Sequence, residues 1–371
     1  MLGSGVLHFQ ELMRKPINFC LQVLSVQYNF VNLKEHMDLA REDENSVMFC
    51  FPLQNSSCIK GRRSPVEYIL MYTFLSTVSS LTVFLNLLVI ISIFHFKQLH
   101  TTTNTLILSL AVADILTGLI VIPVEGVAFI ETCWYLGDLF CTVFPVILYT
   151  IFSGSLSSIF LISLDRYIAV TDPLQYSVKL TFKKGITCAL LGWLYSFIYA
   201  LAILNQHLQY PEPRSACHGE CPINITYNYI VMDFIVAIIA PTCIISYFYL
   251  RIFCVVRRQA KVMNTFTVRV KLEGKGTVPK RSETKAAKML GGVIVVYFTC
   301  WTPYFIGSLI ADNIPYDSAA FVFMYWLLYT NSCMNPLMYA LIYPWFRISV
   351  KHILTLSIFN SSSYLNVFPE G

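Results

Sequence analysis

The chain has 371 residues, 56% hydrophobic and 13% charged, with a formal net charge of +5. Soluble domains carry roughly 25% charged residues, so a water-soluble globular protein is excluded and the chain belongs in a membrane. Its surplus of Lys and Arg follows a topological pattern, which leaves no case for nucleic-acid binding.

Predominantly apolar stretches run over 66–94, 104–130, 141–164, 185–206, 227–256, 289–311 and 318–343. Each reaches the roughly 20 residues that span a bilayer as a helix. The expected fold is an all-α membrane protein, a bundle of seven transmembrane helices. Residues 1–65 form an N-terminal tail, 66–343 the membrane domain, and 344–371 a short amphipathic membrane-surface helix and tail. Within the tail, 1–36 read as an extension absent from the mature product, because Met37 and Met48 offer alternative starts and no clear signal peptide precedes them. Residues 258–285 mix Arg, Lys, Thr, Gly and Pro without apolar periodicity and read as a flexible connection flanked by extended helices.

Lys97, Lys179, Lys183, Lys184, the 251–288 segment, Arg347 and Lys351 hold most of the positive charge, and the positive-inside rule makes their side cytoplasmic. The opposite connections carry Glu131, Asp138, Glu212, Glu220, Asp312 and Asp317 against Arg214. The N-terminus is therefore expected outside a multi-pass plasma-membrane protein, although Lys60, Arg62 and Arg63 run against the count. On that outer side fall six of the twelve cysteines, Cys50, Cys58, Cys133, Cys141, Cys217 and Cys221. The oxidising exterior favours disulfides among them, and spacing alone leaves the pairing open. The sequons at Asn55 and Asn224 lie on the same side and are expected glycosylation sites.

Polar or bulky markers punctuate the spans: Asn86, Asp114, Asp165-Arg166-Tyr167, Trp193, Pro241, the run Cys300 to Pro303, and the run Asn331 to Phe346. In this order on seven helices they resemble the rhodopsin-like G-protein-coupled receptors over about residues 60–355. Asn331, Ser332, Asn335, Pro336, Tyr339, Tyr343, Trp345 and Phe346 narrow the likeness to the trace amine-associated receptors.

That resemblance implies disulfides pairing Cys141 with Cys221, Cys50 with Cys217, and Cys58 with Cys133. It implies an oxygen-rich site of Asp114, Ser155, Asn331, Ser332 and Asn335 that holds allosteric Na⁺; oxygen ligands suit a hard cation. The alternative for Asp114 is a plain helix contact with Asn86. It further implies a latch in which Asp165 and Glu283 restrain Arg166 until the sixth helix swings out toward a heterotrimeric G protein, with Tyr167 and Tyr339 as partners of the rearranged state. Solvated helix-end charge is the bland alternative. Trp301 above Pro303 reads as the pivot, and Tyr297 replaces the Phe usual in the class.

Receptors for biogenic amines hold the ammonium on an Asp of the third helix. Here that place, seven residues after Cys141 and eighteen before Arg166, is Leu148. Asp233 lies eight residues before Pro241, about 12 Å up the fifth helix at 1.5 Å per residue. A carboxylate in such apolar company marks a ligand or ion path, and a salt bridge from Asp233 to an ammonium ligand would resemble the fish-type branch of the family; the alternative is a buried Asp hydrogen-bonded to a neighbouring hydroxyl, or protonated. Tyr304, Phe305 and Tyr329, with Trp301, Tyr149 and Phe152, would surround the cation with aromatic faces. Glu125 is read as a solvated rim charge, with a second carboxylate for a diamine as its other reading.

The sequence thus points to an amine receptor of chemosensory type, partnered by a small amine, a stimulatory or olfactory G protein and the lipid bilayer, and requiring no cofactor. It is not an enzyme: no metal-ligand cluster or nucleophile-base pair stands within a span. An opsin would need a Lys where Tyr329 stands. A decoy receptor without G-protein output, or a rhodopsin-class receptor for a non-amine, are the alternatives.

Overall fold

The computed structural model describes residues 47–209, 217–222, 227–273, 282–309 and 319–355. The 1–36 extension, Asn224, Glu212, Arg214, Asp312 and Asp317 lie outside them, as does the side chain of Glu283. Seven long helices form the bundle: α1 Pro65–His95, α2 Thr102–Glu131, α3 Gly137–Thr171, α4 Phe182–Ile203, α5 over 227–273, α6 Ser282–Leu309 and α7 Ala319–Ile342, followed by α8 Pro344–Leu354. Helix α3 packs on α2, α4 and α5; α6 packs on α7; α1 packs on α2, α7 and α8.

Local chemistry sets the helix ends. At α1 the Ser64 hydroxyl accepts from the Glu67 N–H at 3.3 Å and the Glu67 carboxylate accepts from the Ser64 N–H at 2.7 Å, with Pro65 opening the helix. Within the bundle, Thr82, Ser163 and Ser196 donate to carbonyls four residues back, which satisfies hydroxyls that lipid would leave bare. Trp193 donates to the Ser109 hydroxyl at 3.1 Å, and its ring lies where a Cβ on Gly154 would come within 3.2 Å. Gly154 therefore sets how closely α3 and α4 approach.

Two helices carry a wider turn. In α2 a π-turn occupies Thr117–Val121, just before Pro123; in α5 another occupies Phe234–Ile239, just before Pro241. Proline supplies no N–H and crowds the preceding turn, and the inserted residue absorbs that mismatch while rotating the far half of the helix. Helix α5 also continues to Glu273, well into the stretch expected to be a flexible connection, and the first helix breaker it meets is Gly274.

The disulfides depart from the expected pattern. Cys141 joins Cys221, as the resemblance implied, but Cys50 joins Cys133 and Cys58 joins Cys217, an exchange of partners. Backbone pairing explains it. Residues 49–59 fold back in an antiparallel bridge, while Ser57 pairs in parallel with His218; the Cys58 N–H donates to the His218 carbonyl at 2.8 Å, seating Cys58 beside Cys217. Trp134 donates to the Gly219 carbonyl at 2.7 Å, and Gly219, at φ +108°, lies against Cys50. Cys133 is thereby brought to Cys50.

The same hairpin accounts for the basic residues that ran against the charge count. Lys60 forms an ion pair with Glu131, which raises the Lys60 pKa, and Arg63 donates to the carbonyls of Ile130 and Phe129 at 3.0 and 3.1 Å. Asn55 stands exposed at the tip of this hairpin.

A closed bridge lost from either end is the same loss. Cys50→Ser with Cys133→Ser is expected to cost the solubilised protein no more thermal stability than either change alone, about 2–4 kcal/mol for one disulfide. Cys50→Ser with Cys217→Ser is expected to cost nearly twice that; melting curves of the three variants check the pairing, and a reversed order would return it to the arrangement first expected.

Candidate functional site

Toward the disulfide-bearing end, α2, α3, α5, α6 and α7 enclose a cavity of about 110 Å³. Leu148, Tyr149 and Phe152 reach it from α3, Asp233 from α5, Trp301, Tyr304 and Phe305 from α6, and Tyr329 from α7. These are the eight residues singled out for the ligand, and the structure brings them all to one place. Leu148 is buried and offers no charge. Tyr297 also lines the wall, its ring stacked on Trp301 at 5.4 Å.

The rings form a connected floor. Phe152 meets Trp301 edge-on at 5.0 Å, Trp301 lies over Phe305 at 5.9 Å, and Phe305 meets Phe234 at 5.9 Å beside Asp233. The Trp301 indole N–H is buried without a hydrogen-bond partner among the described residues.

Asp233 is half-buried, and the Tyr199 hydroxyl of α4 donates to it at 2.5 Å. Tyr199 was missed by the sequence reading; a phenol in a largely apolar span seeks an acceptor, but Tyr195 carries the same signal and stands exposed. Asp233 sits on the last turn before the π-turn of α5, so the wide turn helps aim it inward. Glu125 departs from the solvated rim charge expected of it. It is half-buried, lines the same cavity and accepts from the Tyr325 hydroxyl of α7. Tyr325, four residues before Tyr329, was also missed.

Deeper in the bundle, Asn335 donates to the Asp114 carboxylate at 2.8 Å, and both are buried. Asn86 donates instead to the carbonyls of Thr82 at 2.9 Å and Ser332 at 3.0 Å, so Asp114 makes no direct bond to Asn86. Ser155, Asn331 and Ser332 are buried as well. Asp114 Oδ1, Asn86 Oδ1 and the Tyr339 hydroxyl have no hydrogen-bond partner among the described residues. Buried oxygens without partners are costly, and a cation or water suits them.

At the opposite end from the disulfides, Arg166 binds Asp165 through Nε at 3.0 Å and Nη2 at 2.7 Å. Two residues missed by the sequence reading complete the cluster. Thr103 donates to Asp165 at 2.7 Å and Tyr176 at 2.8 Å, while Arg166 also donates to the Tyr176 hydroxyl at 3.0 Å. The Tyr167 ring stacks on Phe248 at 5.1 Å. Glu283 lies in the first turn of α6, and its side chain is outside the described residues.

Residues 85–339 match the family model for the 7 transmembrane receptor (rhodopsin family). Among individual proteins, the chain is 38% identical over 335 residues to trace amine-associated receptor 6 of Pan troglodytes, covering 88% of this chain and 97% of that one. It is 36% identical over 340 residues to trace amine-associated receptor 13c of Danio rerio, covering 90% and 99%, and 36% identical over 340 residues to trace amine-associated receptor 9 of Rattus norvegicus, covering 86% and 98%. With the seven-helix bundle and its interior cavity, these matches show that the chain is a multi-pass membrane receptor and not an enzyme, and that it belongs to the trace amine-associated receptors of the rhodopsin family.

Proposed function

We propose that this receptor binds an amine in the cavity between α3, α5, α6 and α7, with Asp233 as the ammonium's counter-ion, and signals through a stimulatory heterotrimeric G protein and cyclic AMP. The observation that carries this reading is Asp233 itself, a carboxylate on the wall of an aromatic cavity with a phenol as its described donor. Such a carboxylate gains most from a ligand that brings positive charge. The aromatic walls add roughly 0.5–2 kcal/mol for each desolvated cation–ring contact. Leu148 removes the usual third-helix anchor, leaving the fifth helix to supply it. The relatives, named as trace amine-associated receptors, accord with an amine ligand.

In this reading the disulfide-bearing end faces outward, Asn55 and Asn224 carry glycans, and the receptor serves chemosensation at the plasma membrane. The ligand presses on Trp301 and Tyr297, and the motion of α6 about Pro303 loosens the cluster at its far end. Arg166, bound by Asp165 in the resting geometry, is then released to the G protein, with Tyr167 and Tyr339 as its new neighbours.

The group of Asp114, Ser155, Asn331, Ser332 and Asn335 fits Na⁺, because its donors are oxygens and two nearby oxygen atoms, Asp114 Oδ1 and Asn86 Oδ1, have no partner among the described residues. A bound Na⁺ would supply the charge that offsets Asp114. The chain's own contribution is the Asn335 amide, which holds one carboxylate oxygen and leaves the other for the ion.

Three outcomes are expected in cells expressing the receptor. Asp233→Ala should weaken amine-evoked cyclic AMP by about 30-fold or more at normal surface expression, the loss of about 2–5 kcal/mol when one partner of a buried charge pair is removed; Tyr199→Phe, which removes only a neutral donor, should lose far less. An unchanged potency in Asp233→Ala ends the proposal. Raising Na⁺ in membranes at constant ionic strength should lower agonist affinity in the wild type and leave Asp114→Asn unmoved; equal sensitivity in both would refute the ion site. Tyr176→Phe should raise ligand-free cyclic AMP by about tenfold or more, corresponding to the roughly 1.5–3 kcal/mol of a hydrogen bond to a charged group lost from the clamp on Asp165; basal output at the wild-type level would show that the clamp does not restrain signalling.

A further inference from the structure

Glu125 has no part in the binding of a single ammonium at Asp233, and of its two sequence readings the solvated rim charge has failed. It projects from the half of α2 beyond the Thr117–Val121 π-turn, and Gly118 lets that turn lie against α1: a Cβ there would come within 2.9 Å of Val83. Glu125 and Asp233 line one cavity, and each follows or precedes a π-turn in its own helix. Among the described residues that line this cavity there is no lysine, arginine or histidine. Two carboxylates therefore share a cavity in which no cation among the described residues answers either of them, and the phenols of Tyr199 and Tyr325 are the described donors to each.

A run of aromatic rings links the two acids, and Leu148, Ile238 and Leu328 also line the cavity. From Tyr325, which holds Glu125, the ring contacts pass to Tyr304 at 6.2 Å, to Phe305 at 5.8 Å and to Phe234 at 5.9 Å, the neighbour of Asp233. Independently, the buried Trp301 on the same wall has an indole N–H without a partner among the described residues, a donor that a polar ligand atom could meet.

We infer that Glu125, held by Tyr325, is a second cation subsite, and that the preferred ligand is a diamine whose ammonium groups reach Asp233 and Glu125 while its methylene chain lies along Tyr304 and Phe305. The inference rests on the reading of Asp233 as an amine anchor and adds the ligand's second charge. A burial cost that one cation leaves half unanswered is relieved at both ends by two. The apolar chain between the charges matches rings that bind methylenes and cations alike.

The test compares straight-chain α,ω-diamines of increasing length with primary monoamines of the same length, measuring cyclic AMP and surface expression in the wild type, Glu125→Gln and Asp233→Asn. Glu125→Gln keeps the size of the side chain and an oxygen for Tyr325 while removing the charge. The wild type is expected to respond to its best diamine at a concentration at least about tenfold below that of the matched monoamine. Glu125→Gln is expected to close that gap by weakening the diamine alone, and Asp233→Asn to weaken both. A wild type that prefers the monoamine, or a Glu125→Gln variant that changes both ligands equally or neither, overturns the second subsite while leaving the amine reading intact. A monoamine response that survives Asp233→Asn overturns the amine anchor itself. Should Glu125→Gln fail to reach the surface, Glu125→Asp keeps the charge and draws it back by one methylene: the optimal diamine should lengthen by one methylene, and an unshifted optimum overturns the proposal.

Discussion

Hydrocarbon cannot hydrogen-bond, and the arrangement of this receptor follows from how it treats the carboxylates its spanning helices carry. Asp114, Glu125, Asp165 and Asp233 are each turned into the bundle and met by a donor from another part of the chain: Asn335, Tyr325, Thr103 with Tyr176, and Tyr199. Every one of these bonds ties one spanning helix to another spanning helix or to the segment that follows it. The polar groups thus do what an apolar seam cannot do in lipid, where helix contacts gain nothing from the exclusion of water.

The donors differ in kind, and the difference separates structure from function. Asp165 is answered by a full positive charge, Arg166, together with two hydroxyls, an arrangement complete within the protein. Among the described residues Asp233 and Glu125 are answered by single phenols, which carry no charge to offset theirs. Asp114 lies between these cases, with one oxygen bound by an amide and the other without a hydrogen-bond partner among the described residues. Ordered by how much of their charge the protein itself offsets, the four acids run from a closed contact to open sites.

Much of this was legible before any coordinates. Seven apolar runs, the polar markers within them and the empty position at Leu148 are local properties, and the helices fall within a few residues of those runs except where α3, α5 and α6 continue beyond them. Glu125 and Tyr199 were harder because their roles depend on which way a helix face points. A π-turn shifts that direction by one residue's worth of rotation, and no hydrophobic period records it when the surroundings are apolar on all sides. The disulfide exchange has a similar origin: the choice between Cys50 and Cys58 was made by backbone bonds from Cys58 to His218 and from Trp134 to Gly219, pairings that cysteine spacing does not encode. Tyr176 and Thr103 were invisible because a clamp assembled from a loop and a helix start has no signature within either.

The wide turns of α2 and α5 also bear on how such a receptor changes its ligand over evolutionary time. Each holds one residue more than a regular α-helix would use over the same rise. Deleting a single residue from 117–121 would turn the outer half of α2 by roughly 100°, carrying Glu125 off the cavity wall without altering any residue that lines it. Recognition here is written partly in the length of the chain, so two receptors with identical pocket side chains can differ in ligand charge by the presence or absence of one apolar residue a full turn away.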